Sequence, residues 1–103
     1  AAEHYEQACN QGEQEACSSL ANLYYVGQGV EEDHKKSAVI SEQSCSKNNA
    51  QACIMAGTQY MNGDGVQQNN DKALGLLKKA CALKSDSGCQ SLSKFQTKLH
   101  KYD

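Results

Sequence analysis

Six cysteines fall on a fixed ruler. Cys9 and Cys17, Cys45 and Cys53, and Cys81 and Cys89 each lie eight residues apart, and successive pairs are offset by 36. Thiols in such numbers serve metal binding or cross-linking. Structural zinc sites favour pairs roughly two to four residues apart, and the wider gap, met three times, does not fit one. His4, His34 and His100 are scattered with respect to the period and read as solvated side chains rather than extra ligands. An even number of cysteines at regular spacing in a short chain reads instead as three disulfides, made in an oxidising compartment.

Other candidate chemistry is thin. Asn62-Gly63-Asp64-Gly65 superficially suggests a calcium loop. It lacks the alternating oxygen ligands and closing glutamate of such a loop and reads as a turn. No phosphate-binding loop, nucleophile elbow or acid/base pair is visible. No cofactor is expected.

The elements that carry the cysteines repeat with them, as in a stack of one supersecondary unit. Offset by 36, Leu20-Ala21-Asn22 lies over Ala56-Gly57-Thr58 and Leu92-Ser93-Lys94, and Gly27-Gln28-Gly29-Val30 over Gly63-Asp64-Gly65-Val66. Cys17, Leu20, Ala21 and Tyr24 recur at helical spacing, as do Cys53, Ala56, Gly57 and Tyr60. They predict a helix A over 14–26, 50–62 and 86–101. The glycine loop ends it in the left-handed conformation. Asp33 and Asn69 then suit the caps of a helix B over 33–47 and 69–84, with residues 1–11 an orphan helix B.

Each first cysteine ends a helix B and its mate opens the next helix A. A tight antiparallel turn brings such positions within disulfide reach, which favours the pairing 9–17, 45–53 and 81–89. The organisation expected is a single domain: an orphan helix B at 1–12, repeats at 13–48 and 49–84, and a C-terminal capping helix at 85–103. The cap replaces Tyr24 and Tyr60 by Gln96 and runs on through Phe95, Leu99, His100 and Tyr102. The middle helix B is the weak element. Ser37, Ser41 and Ser44 hold positions that are apolar elsewhere, with Val39 and Ile40 as partial compensation.

Composition sets the same limits. Leu, Ile, Val and Phe number only 15 of 103 residues, against 12 alanines, and there is no proline. Small side chains at that density suit closely packed helices. A chain this short is marginal without staples, and each loop of about nine residues closed by a disulfide is worth roughly 2.5 kcal/mol. Ten lysines without a basic stripe or any arginine argue against nucleic acid. No apolar run is long enough to span a bilayer. Ala1 and Ala2 fit the mature side of a cleaved export signal, or a cut made elsewhere.

The recurring set A-C, L-A/G-x-x-Y, G-x-G-V-x-x-D/N, K-K/K-A and A-C resembles the Sel-one-like repeat family, and more closely its cysteine-rich, disulfide-bridged secreted bacterial members. That resemblance implies an all-α, α/α solenoid of tetratricopeptide-like helix pairs whose concave face, lined by helix A, scaffolds other proteins. It also implies a rival, since some cysteine-rich members are described as β-lactam-binding or β-lactam-hydrolysing. That chemistry uses an S-x-x-K tetrad with S-D-N and K-T-G accessories. Ser44 to Lys47 and Ser91 to Lys94 match the tetrad, but neither accessory occurs and Ser44 sits at a core-facing alanine position of the repeat.

By analogy with tetratricopeptide geometry, the concavity is lined by Ser18, Asn22 and Tyr25, by Ile54, Thr58 and Met61, and by Gln90, Lys94 and Lys98. Tyr25, Ile54 and Met61 have the makeup of an interface centre, or of second-layer packing. The expected function is non-enzymatic binding of another protein or peptide in the periplasm or outside the cell, by a chain that is monomeric when free. An envelope adaptor, a toxin-neutralising immunity protein and a fragment of a longer solenoid are all compatible, and a mitochondrial intermembrane location would also permit disulfides.

Overall fold

A computed structural model describes residues 2–100, the side chain of His100 excepted; Tyr102 lies outside them. Six helices follow one another: α1 (Ala2–Asn10), α2 (Gln14–Val26), α3 (His34–Ser46), α4 (Ala50–Asn62), α5 (Asn70–Ala82) and α6 (Asp86–His100). Helices α2, α4 and α6 are the A helices; α1, α3 and α5 are the B helices. The fold is an all-α solenoid. Each helix packs on the next in sequence, and α2 also touches α4 as α4 touches α6. Direct A-to-A contact makes the A helices the inner layer of a curved stack 45 × 27 × 16 Å in extent.

Local chemistry fixes the helix ends. Asp33, Asn49 and Asn69 accept from the N–H of Lys36, Ala52 and Lys72 at 3.0, 3.2 and 3.0 Å, satisfying donors that the first turn leaves free. Gly27 and Gly63, at φ 72° and 66°, close α2 and α4 in the left-handed conformation, their N–H groups donating to the carbonyls of Leu23 and Gln59. A second left-handed position recurs in the short turns from helix B to helix A. Gly12 takes it at φ 96°, but Asn48 and Lys84 take it at 69° and 66° despite their side chains. The glycine pattern of the sequence marked only the first of these two turns.

All three disulfides form locally, Cys9–Cys17, Cys45–Cys53 and Cys81–Cys89, with Cα atoms 4.6, 4.6 and 4.4 Å apart. They pin each helix B to the next helix A. Alanine lets these helices approach: Ala21, Ala38, Ala52, Ala56, Ala73 and Ala80 are wholly buried, with Leu77. Gly88 takes the approach furthest, since a Cβ there would lie 2.7 Å from that of Ala80 on α5. In α3, Ser37 donates to the carbonyl of Ala21 at 2.7 Å, whereas the hydroxyl of the equally buried Ser41 has no partner among the described residues. Ile40 packs against the cluster of Ala2, Leu20 and Leu23. Val39 does not share that work. It points out of the stack and is 48% exposed, so compensation for the serines rests on Ile40 alone.

Candidate functional site

The inner layer carries two adjoining depressions between α2 and α4. One, of about 560 Å³, is lined by Glu15, Ser18, Ser19, Asn22, Asn49, Gln51 and Met55. The other, of about 240 Å³, is lined by Asn22, Tyr25, Met55, Thr58, Gln59, Asn62 and Asp64. Asn22 and Met55 belong to both, so the two form one groove along the A helices with a methionine at its middle. Asn49 braces the wall, donating to the Gln14 carbonyl at 2.8 Å and to Ser18 Oγ at 2.9 Å while capping α4.

One end of the groove is closed by a cluster that the repeat does not predict. Asp64, in the glycine loop after α4, accepts from the hydroxyl of Tyr25 on α2 and lies 2.5 Å from Nδ1 of His34, at the start of α3. The His34 ring is stacked on that of Tyr25, with centroids 4.3 Å apart and planes 7° from parallel. Glu32 Oε1 stands 3.4 Å from the other ring nitrogen, at ion-pair distance without hydrogen-bond geometry. The loop can come this close because residue 65 is glycine, where a Cβ would fall 2.4 Å from the His34 carbonyl carbon.

These contacts shift the proton affinity of all three groups. The Tyr25 hydrogen bond, followed by the His34 contact, holds the Asp64 carboxyl below its ordinary range despite some desolvation. The hydrogen bond to Asp64, aided by Glu32, raises His34 above its ordinary 6.5, against a smaller opposing desolvation. Tyr25 is raised as well, chiefly by its bond to Asp64. His34 is therefore not the freely solvated side chain that its place off the repeat suggested. The spacing test asked only whether it recurred, and a side chain can find a partner without recurring.

The sequence-predicted face divides. Ser18, Asn22, Tyr25 and Thr58 line the groove. Ile54 packs instead against the Cys45, Cys53 and Ala80 cluster, and Met61 against Ala73, Leu77 and Phe95. Gln90, Lys94 and Lys98 are exposed on α6. The side chain that takes the central place is Met55, one residue on from Ile54. Gln51, Gln59, Asn62 and Asp64 join it unforeseen. A usable signal existed, because positions 19, 55 and 91 read Ser, Met and Ser, and 28 and 64 read Gln and Asp.

Elsewhere, Ser44 is 3% exposed on the inner side of α3, although it and Lys47 border a cavity of about 200 Å³ with Glu6, Tyr24 and Lys36. The partly buried tyrosines at the repeat's aromatic position act as struts. The Lys36 and Lys72 ammonium groups each sit 4.6 Å above the ring centres of Tyr24 and Tyr60, and the Tyr60 hydroxyl donates to Glu42. Among the described residues no cluster of His, Cys, Asp or Glu is arranged to hold a metal ion, and no helix is long and apolar enough to cross a membrane.

The Sel1 repeat model matches residues 1–13, 14–49 and 50–85. The chain belongs to the Sel1 repeat family. Membership makes it a protein–protein interaction module. Among solved structures it is similar to Helicobacter pylori cysteine rich protein B, with 28% identity over 86% of this chain and 67% of that one and a TM-score of 0.81. A Sel1 repeat protein from Oxalobacter formigenes matches at 26% identity and TM-score 0.80, over 87% of this chain. So does c5321, a protective antigen of uropathogenic Escherichia coli with the same fold, at 28% and 0.79 over 84%. The chain spans only 26% and 19% of those last two proteins. No curated protein matches the chain.

Proposed function

We propose that this Sel1 repeat chain is a non-enzymatic module that holds a segment of another protein in the groove between α2 and α4, in the periplasm or outside the cell. The groove itself carries the reading. It lies on the inner layer, where the A helices meet, and its lining comes from positions at which the units differ. Ser18 faces Ile54 in the alignment, Ser19 faces Met55 and Asn22 faces Thr58. A repeat that keeps its core and varies one surface places its specificity on that surface. Carboxamides and hydroxyls around a central methionine supply adaptable hydrogen bonding and a soft apolar contact. The exposed Gln90, Lys94 and Lys98 extend the face along α6.

The chemistry of the staples supports that compartment, because disulfides persist where the glutathione pool does not reduce them. Similarity to a cysteine-rich Helicobacter protein supports the same setting. An envelope adaptor and an immunity protein that masks a secreted toxin would both use such a face. In this reading the free chain is monomeric, binds no nucleic acid and inserts into no membrane, and no turnover of a chromogenic β-lactam is expected, since Ser44 is buried and neither the Ser44 nor the Ser91 tetrad has its accessory motifs.

Peptide display against the purified protein tests the face. Binders selected on the wild type should lose roughly 30-fold in affinity on Met55→Ala, the scale of a central anchor, and less on Asn22→Ala. Binders indifferent to both substitutions would place the partner elsewhere, with the outer B-helix surface next in line.

A further inference from the structure

The chain is electrically lopsided. Its first 34 residues contain Glu3, Glu6, Glu13, Glu15, Glu31, Glu32 and Asp33 and no lysine, while all ten lysines follow from Lys35 onward. The α2 wall of the groove belongs to this acidic part. A carboxylate stands at each end of the groove, Glu15 at one and Asp64 at the other, and no lysine among the described residues lines it.

The end of the groove near Asp64 also has an excess of acceptors. Gln59 is 2% exposed, and its Nε2 is committed to the carbonyls of His34 and Asp64 at 3.1 and 3.4 Å. Its Oε1 has no partner among the described residues. The hydroxyl proton of Tyr25 is given to Asp64, which leaves the tyrosine oxygen as an acceptor. A buried acceptor left unpaired is costly, and a ligand that donates to it recovers the loss. Donors in number, on a positively charged head, are what ammonium and guanidinium groups offer. Met55 provides an apolar wall for the methylene stem behind such a head.

We propose that the groove receives an extended protein segment carrying two basic side chains, one directed to Asp64 and Gln59 and the other to Glu15. This rests on the concave face being the binding face. Spacing follows from the helices. Glu15 and Tyr25, whose hydroxyl donates to Asp64, are ten residues apart within α2. At about 1.5 Å per residue that is roughly 15 Å, which about five residues of extended peptide span.

The test uses six-residue peptides with serine and alanine alternating between two identical ends, the ends being lysine, glutamine or glutamate. Each is titrated into isotopically labelled full chain while amide shifts are followed. The lysine peptide should move the resonances of Asn22, Met55, Gln59 and Asp64, bind at least tenfold more tightly than the glutamine peptide, and weaken with added salt. Asp64→Asn should remove most of that preference. Because Asp64 also anchors Tyr25 and His34, Glu15→Gln serves as the second variant, and it should lower lysine-peptide affinity several-fold with the fold unchanged. Equal binding of lysine and glutamine peptides in the groove, or preference for glutamate, overturns the basic partner and leaves the concave face standing. Lysine-peptide shifts confined to Glu3, Glu6 and Glu31 overturn it as mere attraction to an acidic surface. Peptides that leave the groove resonances unmoved overturn the concave face as well.

Discussion

The ring of His34 lies flat on that of Tyr25, 4.3 Å between centroids, and the two are held together by a third residue, Asp64, from the next unit. Stacking orients the imidazole so that Nδ1 meets the carboxylate, while the tyrosine hydroxyl reaches the other carboxylate oxygen. Three segments meet there: the C-terminal turn of α2, the first turn of α3 and the loop after α4. The contact staples unit one to unit two on the side where the groove opens.

This staple makes stability depend on pH with a definite sign. His34 gains a partner on folding and its pKa rises, so its contribution is complete below its unfolded pKa near 6.5 and is lost as pH climbs through the higher folded value. Asp64 is depressed, so its contribution is present above its unfolded value near 3.8 and disappears as pH falls through the lower folded one. NMR titration should find the His34 midpoint above 6.5, and Asp64→Asn should return it toward the ordinary value. A His34 midpoint unchanged by that substitution would show that the pair does not form in solution.

Two serines one helical turn apart should respond differently to the same change. Ser37→Ala removes a hydrogen bond to the Ala21 carbonyl, whereas Ser41→Ala removes a buried hydroxyl that has no partner among the described residues. Both gain a little helix propensity. Denaturant unfolding should rank Ser41→Ala above Ser37→Ala by about 1 kcal/mol, with Ser41→Ala at or above wild-type stability. The reverse order would mean that Ser41 bonds to ordered water.

Lys84 holds a left-handed backbone, φ 66°, at the position where unit one has Gly12. Non-glycine residues there cost about 1 kcal/mol or more. Lys84 is exposed, so Lys84→Gly relieves the strain without opening the core. The variant should gain up to about 1 kcal/mol, read as a rise of a few degrees in Tm. Unchanged or lower Tm would show that the flexibility glycine adds to the unfolded chain cancels the relief.

Burial ranks the disulfides. Cys45 and Cys53 are 2% and 0% exposed, while Cys9 and Cys81 are half-buried. Under native conditions a mild reductant followed by alkylation and mass mapping should label the outer pairs first and Cys45–Cys53 last, because exchange needs access to a sulfur. Complete reduction should lower Tm sharply, since three short loops then lose their closure. Labelling of the central pair first would mean that the middle unit opens locally.

The sequence alone determined what recurs. Helix ranges, caps, glycine loops and the pairing of cysteines eight apart all depend on residues close in sequence, and the 36-residue period displays each of them more than once. The boundaries of α2 and α4 fall where the periodicity put them, and the B helices are only a residue or two shorter at their ends. Tertiary structure decided what happens once. His34 and Asp64 are 30 residues apart, and Tyr25 and Asp64 are 39, so neither contact follows the period. Ile54 packs in the Cys45–Cys53 cluster while Met55 lines the groove, a difference of one residue that helical spacing within a single unit could not resolve. Gln59 is buried beside Asp64 with its amide held by the His34 carbonyl of the preceding unit, and its side-chain oxygen has no partner among the described residues, so its environment is set only when two units are stacked.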